Sequence, residues 1–235
     1  MTDLNTRMPS GSDVAQRTVT KPAFSDDLLE AVLTKANLQQ AWKQVRANKG
    51  AAGVDGMTID DFPDWVKAGH WTVVERSIRS GDYQPAPVRR VEIAKPDGGK
   101  RELGIPTVID RVIQQAMAQI LMPIFDPGFS TDSYGFRPGR NAHQAVLRVQ
   151  SILKEGRRFA VDVDLSTFFD RVNHDLLMTH LGYKVRDKRL LGLIARYLRA
   201  GMIDNQLYLE NWEGVPQGGP LSPLLANIML ARSTG

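Results

Sequence analysis

Two aspartates separated by one residue carry the clearest chemical signal in the sequence. In RRFAVDVDLSTFFD, residues 157–170, apolar side chains alternate with Asp162 and Asp164, and this period of two predicts a strand with both carboxylates on one face. Because an ionised carboxylate is costly to bury alone, the acids should face water, basic side chains or a metal ion. Asp164 stands at the predicted strand end, where a carboxylate commonly faces a ligand cleft. An exposed edge strand with two ordinary acids is the alternative that this pattern leaves open.

The sequence lacks the residues that several other kinds of catalysis and metal binding require. The sequence has no cysteine, which excludes disulfides, thiol catalysis and cysteine-ligated zinc. Its four histidines show no HExxH or comparable zinc spacing. GGKR, residues 98–101, is not a Walker A loop, and no GxSxG nucleophile elbow is present.

The overall charge is a weak signal, but its distribution is informative. Thirty Lys and Arg against 26 Asp and Glu give a net charge of +4, which by itself fits an ordinary solvated surface. Gathered beside one cleft, the basic clusters would instead track phosphates. These clusters are Arg89-Arg90, Lys95 with Lys100-Arg101, Arg137–Arg140, Arg157-Arg158 and Lys184–Arg189.

The start of the chain shows no signal-peptide pattern, and no run of about 18 apolar residues occurs. We therefore expect a cytoplasmic protein without a membrane partner.

The elements that must position these residues are mostly helical. Capping residues and apolar spacing of 3.6 predict helices from Ser25, over 38–48, twice within 58–84, from Thr107 to Phe125, from Asn141 to Gly156, over 187–200 and from Ser222. Alternation around PDGGKR predicts a β-hairpin over 88–105, and a second hairpin is predicted after Met202.

Five motifs in order resemble one family, the reverse transcriptase/maturases encoded by group II introns. They are ANKGAAGVDGMTID, PVRRVEIAKPDGGKRELGIPTVIDRVIQQA, SYGFRPGRNAHQAV, VDVDLSTFFDRVNHDLL and GVPQGGPLSPLLANI. The resemblance runs from near Leu38 to about Leu230 and implies an α+β right-hand polymerase. Helix-rich fingers with a β-hairpin would precede a truncated palm with an antiparallel sheet. The implied divisions are 1–36 (tail and helix), 37–156 (fingers) and 157–235 (palm, with a helical insertion at 184–200).

The resemblance also implies a metal site. Asp164 matches the family's first metal-binding aspartate, and the carbonyl of Leu165 matches an additional oxygen ligand for Mg²⁺. Asp162 and Asp170 are supporting acids on this interpretation. Hard oxygen ligands of this kind suit Mg²⁺, and two such ions would assist an in-line phosphoryl transfer.

Substrate-binding residues follow from the same motifs. Lys95 and Arg101 match fingers residues that hold the triphosphate of a dNTP, and both remain cationic at neutral pH. Phe169 matches the steric gate that rejects a ribose 2′-hydroxyl, although a core aromatic is the simpler alternative. Gln217 matches a residue lining the nucleotide and template pocket.

Nucleic acid is the implied macromolecular partner, either group II intron RNA or an RNA template with a DNA primer. Arg137 and Arg140 are predicted to contact it. Gly218 and Gly219 are predicted to let the backbone approach it closely, because neither carries a Cβ.

Two departures from the family pattern affect the functional prediction. Thr167 replaces a common lysine, and the 235 residues contain no Tyr/Phe-Ala-Asp-Asp motif, which supplies the family's other catalytic carboxylates. We therefore expect a polymerase by ancestry that is inactive as this chain. A non-catalytic RNA-binding or splicing remnant and the non-functional product of an interrupted gene are the alternatives. The interrupted palm predicts a homo-oligomer, because unpaired strand edges associate.

Overall fold

A computed structural model of the chain describes residues 26–94, 98–165, 167–205 and 207–232. Within them lie nine α-helices and four β-strands. The helices are α1 (Leu28–Val32), α2 (Lys35–Ala47), α3 (Phe62–Lys67), α4 (His70–Ser80), α5 (Val108–Phe125), α6 (Ala142–Lys154), α7 (His174–Gly182), α8 (Lys188–Arg199) and α9 (Ser222–Arg232). The strands are β1 (Val88–Ala94), β2 (Lys100–Ile105), β3 (Met202–Asp204) and β4 (Leu207–Leu209).

Helix α5 forms the centre of the hydrophobic core. Ile113, Met117 and Leu121 on its apolar stripe are completely buried. Helices α1, α2 and α9 pack against it. One cluster of buried side chains extends from Leu28 to Ile228, so residues on both sides of the predicted division at 156/157 share a single core. The division into fingers and palm stays a prediction.

Local capping signals define the helix starts as the sequence predicts. The hydroxyl of Thr107 accepts a hydrogen bond from the backbone N–H of Asp110 and so caps α5. Asn141 and Gln144 form a reciprocal capping box at the start of α6. Helix α6 nevertheless has no buried residue, and its apolar Val146, Leu147, Val149 and Leu153 are all more than half exposed.

A buried carboxylate joins three parts of the fold. Asp110 accepts hydrogen bonds from the hydroxyls of Tyr83 (2.7 Å), Tyr197 (2.9 Å) and Thr107 (2.7 Å) and from the backbone N–H of Ala86 (3.2 Å). Burial raises the pKa of Asp110 although these donors oppose the shift. The network therefore ties α5 to α8 and to the segment entering β1.

The single sheet within the described residues is mixed, in the order β2-β1-β3-β4. β1 and β2 form the predicted antiparallel hairpin, and β3 and β4 form the second one. A short parallel pairing of Val88 with Met202 and of Arg89 with Ile203 joins the two hairpins. The helix-rich α+β class is thus confirmed, but the sheet is not the purely antiparallel palm sheet that we expected.

The strand predicted for the alternating segment is wrong. Residues 157–165 have no regular secondary structure, and Phe159, Val161 and Val163 are 99%, 88% and 75% exposed. The alternation is suited to a strand, but a strand also needs a neighbour to satisfy its backbone groups and cover its apolar face. None of the described residues pairs with this segment.

None of the described helices has the length and apolarity needed to cross a membrane.

Candidate nucleotide cleft

One open cavity of about 870 Å³ brings together several residues that lie far apart in sequence. Asp164, Leu165, Phe169 and Gln217, all predicted site residues, line it. Residues 163–165 and 167–170 form one side, the start of β2 contributes Lys100 and Glu102, and α9 contributes Leu230. This convergence makes the cavity the candidate functional site.

Backbone hydrogen bonds hold the turn at 214–219 against the turn that carries Phe169. The N–H of Val215 donates to the carbonyl of Phe169 (2.7 Å), and the N–H of Gly214 donates to that of Val172 (2.8 Å). The Nε2 atom of buried His174 lies 2.7 Å from the carbonyl oxygen of Gly214. Since main-chain atoms make most of these contacts, the relative position of Phe169 and Gln217 depends little on side-chain rotamers.

The same turn is joined to β2 through glycines. The N–H of Gly104 donates to the carbonyl of Gln217 at 2.7 Å. Gly218 has φ of +125°, and a Cβ built there would lie only 2.7 Å from the carbonyl oxygen of Gly104. At Gly219 a Cβ would collide with the side-chain amide oxygen of Gln114. Close packing within the protein therefore explains both glycines, and the predicted approach of nucleic acid to them stays a prediction.

Phe168 and Phe169 have different surroundings. Both line the cleft, but Phe168 also packs against the main core, whereas Phe169 also lines a smaller cavity of about 170 Å³. Their rings meet edge to face with centroids 5.7 Å apart. The turn begins at Thr167, whose φ of +52° is strained for a β-branched residue. The local turn thus directs Phe168 toward the core and Phe169 toward the smaller cavity.

Gln217 is oriented by an acid on the facing turn. Its amide nitrogen lies 3.4 Å from a carboxylate oxygen of Asp170, at the outer limit of a hydrogen bond. These two side chains, with Phe169 and Glu102, line both cavities. They consequently form the wall between the cleft and the smaller cavity.

The cations near the cleft are paired with acids on the hairpin. The ammonium of Lys100 lies 2.6 Å from the carboxylate of Glu92, which raises the pKa of Lys100 and lowers that of Glu92. The guanidinium of Arg90 contacts Glu102 and also pairs with Asp204 at 2.8 Å, and its pKa is raised mainly by Glu102. Lys100 is exposed and could exchange its carboxylate partner for a phosphate.

The predicted triphosphate ligands are only partly visible. Lys95 lies outside the described residues. Arg101 lies in β2 opposite Ile93, with its side chain outside the description. Both assignments stay predictions.

Arg137 has a structural environment. Its side chain is 5% exposed and lies 2.7 Å from Asp126. It also donates to the carbonyls of Ser130 (2.6 Å) and Ser133 (3.0 Å). Arg140 is half-buried, donates to the carbonyl of Thr131 and lies 5.2 Å from the centroid of the Tyr134 ring. Arg137 therefore stabilises its own loop, and nucleic-acid contact by either arginine stays a prediction.

Lys100 and Glu102 are cleft residues that the sequence does not predict for the substrate site, whereas Asp170 is predicted only as a supporting acid of the metal site. The alternation of β2 could have indicated the first two, because residues two apart in a strand share a face. Asp170 lies in a turn whose direction no local pattern specifies.

The oxygen ligands expected for Mg²⁺ are available at one position. Asp164 is exposed, and no described residue pairs with its carboxylate. Together with the carbonyl of Leu165 it fits a Mg²⁺ ion that keeps several waters and substrate oxygens. Among the described residues no group of three His, Cys, Asp or Glu side chains could hold a metal. The residues thus fit one ion, and the other carboxylates lining the cleft, Glu102 and Asp170, form no metal-binding group of three with Asp164 among the described residues.

Comparison with known proteins identifies the family of the chain. Residues 93–234 match the model of the family described as reverse transcriptase (RNA-dependent DNA polymerase). The chain belongs to this family. It is 40% identical over 191 residues to the group II intron-encoded protein LtrA of Lactococcus lactis subsp. cremoris, covering 81% of this chain and 31% of LtrA. It is also 39% identical over 218 residues to Protein YkfC of Escherichia coli K12, covering 90% of this chain and 57% of YkfC.

This reverse transcriptase chain therefore spans between about one third and three fifths of the length of these relatives. A solved structure titled Cas6-RT-Cas1--Cas2 complex has a similar fold, with a TM-score of 0.59 and 24% identity. The match covers 87% of this chain and 21% of that one. At this identity the likeness supports the reverse transcriptase fold alone.

Proposed function

We propose that the cleft binds an incoming deoxynucleoside triphosphate for RNA-directed DNA synthesis. The observation that carries this proposal is the convergence of Asp164, Phe169 and Gln217 on one cavity of about 870 Å³. Family membership supports the reaction class. RNA as template and DNA as primer are the corresponding macromolecular partners.

Each residue has a distinct role in this proposal. The carboxylate of Asp164 and the carbonyl of Leu165 would hold Mg²⁺, which when bound neutralises triphosphate charge and stabilises the leaving oxygen. Phe169 closes the sugar side of the cleft. Gln217, oriented by Asp170, contacts the nucleotide, and Lys100 attracts its phosphates by exchanging with Glu92.

We further propose that these 235 residues alone bind a dNTP but do not extend a primer. Asp164 lies in no cluster of three metal-binding side chains within the described residues. The other two cleft carboxylates have partners in the protein, Glu102 with Arg90 and Asp170 with Gln217, so of the described cleft carboxylates Asp164 alone is available for the two ions that an in-line displacement uses. Binding without turnover is the consequence.

The test is binding of a fluorescent dNTP in the presence of Mg²⁺, with Asp162→Asn as the matched control for Asp164→Asn. Both aspartates are exposed, but only Asp164 lines the cleft. Asp164→Asn should weaken Mg²⁺-dependent binding at least about tenfold, while Asp162→Asn should resemble the wild type. Phe169→Ala should reduce the preference for dNTP over rNTP.

Equal effects of the two aspartate variants would overturn the nucleotide site. Primer extension by the purified 235-residue chain, abolished by Asp164→Asn, would instead overturn only the proposed lack of turnover.

A second candidate function is RNA binding without polymerisation. Exposed cations that have no acidic partner among the described residues occur on α2, at Lys35, Lys43 and Arg46, and just beyond its end at Lys49. Relatives of this chain include nuclear intron maturase 1 of Arabidopsis thaliana, 37% identical over 94 residues. RNA affinity that falls steeply with salt and survives Asp164→Asn would support this function. Absence of RNA binding at low salt would exclude it.

A further inference from the structure

A second large cavity, of about 540 Å³, lies between α2, α3 and α4 and shares no lining residue with the nucleotide cleft. Its volume is within the range of small-molecule sites. Three aromatic side chains, Trp42, Phe62 and Trp71, form much of its lining, with Leu38 and Val66 beside them. None of these residues has a role in the nucleotide site.

The aromatic residues are arranged as a packed base with partly exposed rings beside it. Phe62 is 4% exposed, and its ring centroid lies 4.6 Å from that of Trp42 and 6.1 Å from that of Trp71. Trp65 stacks on Phe62 at 5.8 Å but does not line the cavity. Trp42 and Trp71 are half-buried. Phe62 thus supports two indole rings that remain accessible to a ligand.

One wall of this cavity carries positive charge that is not neutralised by the described protein. Helix α2 contains no acidic residue. Its exposed Lys35, Lys43 and Arg46, and Lys49 just beyond its end, form no ion pair with a described residue. Lys35 itself lines the cavity.

Two of the acids on the opposite side are paired with cations. Glu75, which lines the cavity, pairs with Arg79, and Asp64 pairs with Lys67 at 2.8 Å. Asp61 accepts hydrogen bonds from the backbone N–H and the hydroxyl of Thr58. Asp61 keeps its charge because Thr58 is a neutral donor, and the exposed Asp60 has no cation partner among the described residues. The four unpaired cations at Lys35, Lys43, Arg46 and Lys49 outnumber these two acids, so the net charge beside the cavity is positive and complements a polyanion.

We propose that this cavity captures an unpaired base of RNA, which stacks on Trp42 and Trp71 while α2 contacts the adjoining phosphates. An aromatic platform beside a basic track is the arrangement that binds single-stranded nucleic acid. An apolar peptide would fill the cavity but would give the cations of α2 no anionic partner. This proposal rests on the proposed function in one respect only, namely that RNA is the macromolecular partner.

The first test measures binding of a fluorescent single-stranded oligo(A) of roughly 10 nucleotides by anisotropy over a series of salt concentrations. Trp71→Leu should weaken binding roughly 5- to 100-fold without changing the salt slope. Trp212→Leu is the matched control, because Trp212 is 80% exposed and lines no described cavity. Equal loss in the two variants, or no loss in Trp71→Leu, would overturn the base site.

The phosphate track has its own variants. Lys43→Gln and Arg46→Gln should each lower the salt slope by about 0.7, the value for one contact to a single strand. Lys154→Gln is the matched charge control, since Lys154 is exposed and unpaired among the described residues of α6. A slope that changes equally in all three variants would contradict binding by α2.

A measurement on the unchanged protein avoids variants that fail to fold. An oligonucleotide carrying one 2-aminopurine should lose emission on binding, because stacking on indole quenches that base. A fully paired duplex of the same length should show no such loss. Quenching that is absent, or equal for strand and duplex, would contradict base capture.

Asp164→Asn separates this inference from the proposed function. It should leave RNA affinity within about twofold of wild type, because distant sites act independently. Loss of dNTP binding with intact Trp71 dependence would leave the RNA site standing, and the reverse result would leave the nucleotide site standing.

Discussion

Replacing Gly218 by alanine tests whether the nucleotide cleft is assembled by main-chain packing. Gly218 has φ of +125°, a region accessible essentially to glycine, and its Cβ would lie 2.7 Å from the carbonyl oxygen of Gly104. Gly56 is the matched control. Its φ is +72°, yet a Cβ there would have no neighbouring atom within 4 Å.

The difference between the two substitutions gives the magnitude of the contact. Gly56→Ala should cost only the conformational penalty of a left-handed residue, about 1–2 kcal/mol. Gly218→Ala adds a collision with backbone, and overpacking of this kind costs about 1–3 kcal/mol more. We expect a total loss of about 2–5 kcal/mol in the free energy of unfolding, or a turn displaced from β2.

Urea denaturation followed by circular dichroism measures the free energy, and hydrogen exchange of the Gly104 amide reports the contact itself. That amide donates to the carbonyl of Gln217, so it should exchange faster in Gly218→Ala and unchanged in Gly56→Ala. Equal destabilisation of the two variants, with the Gly104 amide still protected, would contradict the proposed assembly of the cleft.

Three further substitutions test other parts of the structure by the same unfolding measurement. Val163→Thr should change the free energy of unfolding by less than about 0.5 kcal/mol, because Val163 is 75% exposed. The fully buried Leu177 is the reference, since Leu177→Ala should cost about 2–5 kcal/mol. A similar loss in Val163→Thr would mean that a strand forms at Val163. Arg137→Ala should cost about 2–4 kcal/mol by leaving the carboxylate of Asp126 and the carbonyl of Ser133 without their partner, and a negligible cost would exclude its structural role. Burial raises the pKa of Asp110, so the stability this group contributes is complete below its ordinary pKa of 3.8 and is lost as pH rises through the folded value. Wild-type stability minus that of Asp110→Asn should therefore fall with increasing pH, and a constant difference would contradict the shift.

Local signals explain which elements the sequence predicts correctly. Thr107 and Asn141 place the starts of α5 and α6 because each caps its own helix within three residues. Gly81 and Gly201 end α4 and α8 with positive φ, as glycines after a helix commonly do. The hairpin of β1 and β2 follows from alternation around a glycine-rich turn. All these features depend on neighbours in sequence.

Features that depend on distant residues are not predictable in this way. The parallel pairing of β1 with β3 joins segments more than 100 residues apart through two residue pairs. The burial of Arg137 depends on Asp126 and two turn carbonyls, whereas its sequence context is that of any basic loop. The alternation of apolar and polar residues at 159–165 is typical of a strand, but it does not indicate which segment would pair with that strand.

The nucleotide cleft shows how distant residues converge without a regular strand at Asp164. Backbone atoms make three contacts here: Phe169 with Val215, Val172 with Gly214, and Gln217 with Gly104. They fix two turns and one strand relative to each other, and Asp164 follows because it is only five residues from Phe169. A motif can therefore identify the cleft residues, because each motif encodes one of these rigid pieces. The ion pairs of Lys100 with Glu92 and of Glu102 with Arg90 depend instead on how β1 and β2 pack together, which only the structure shows.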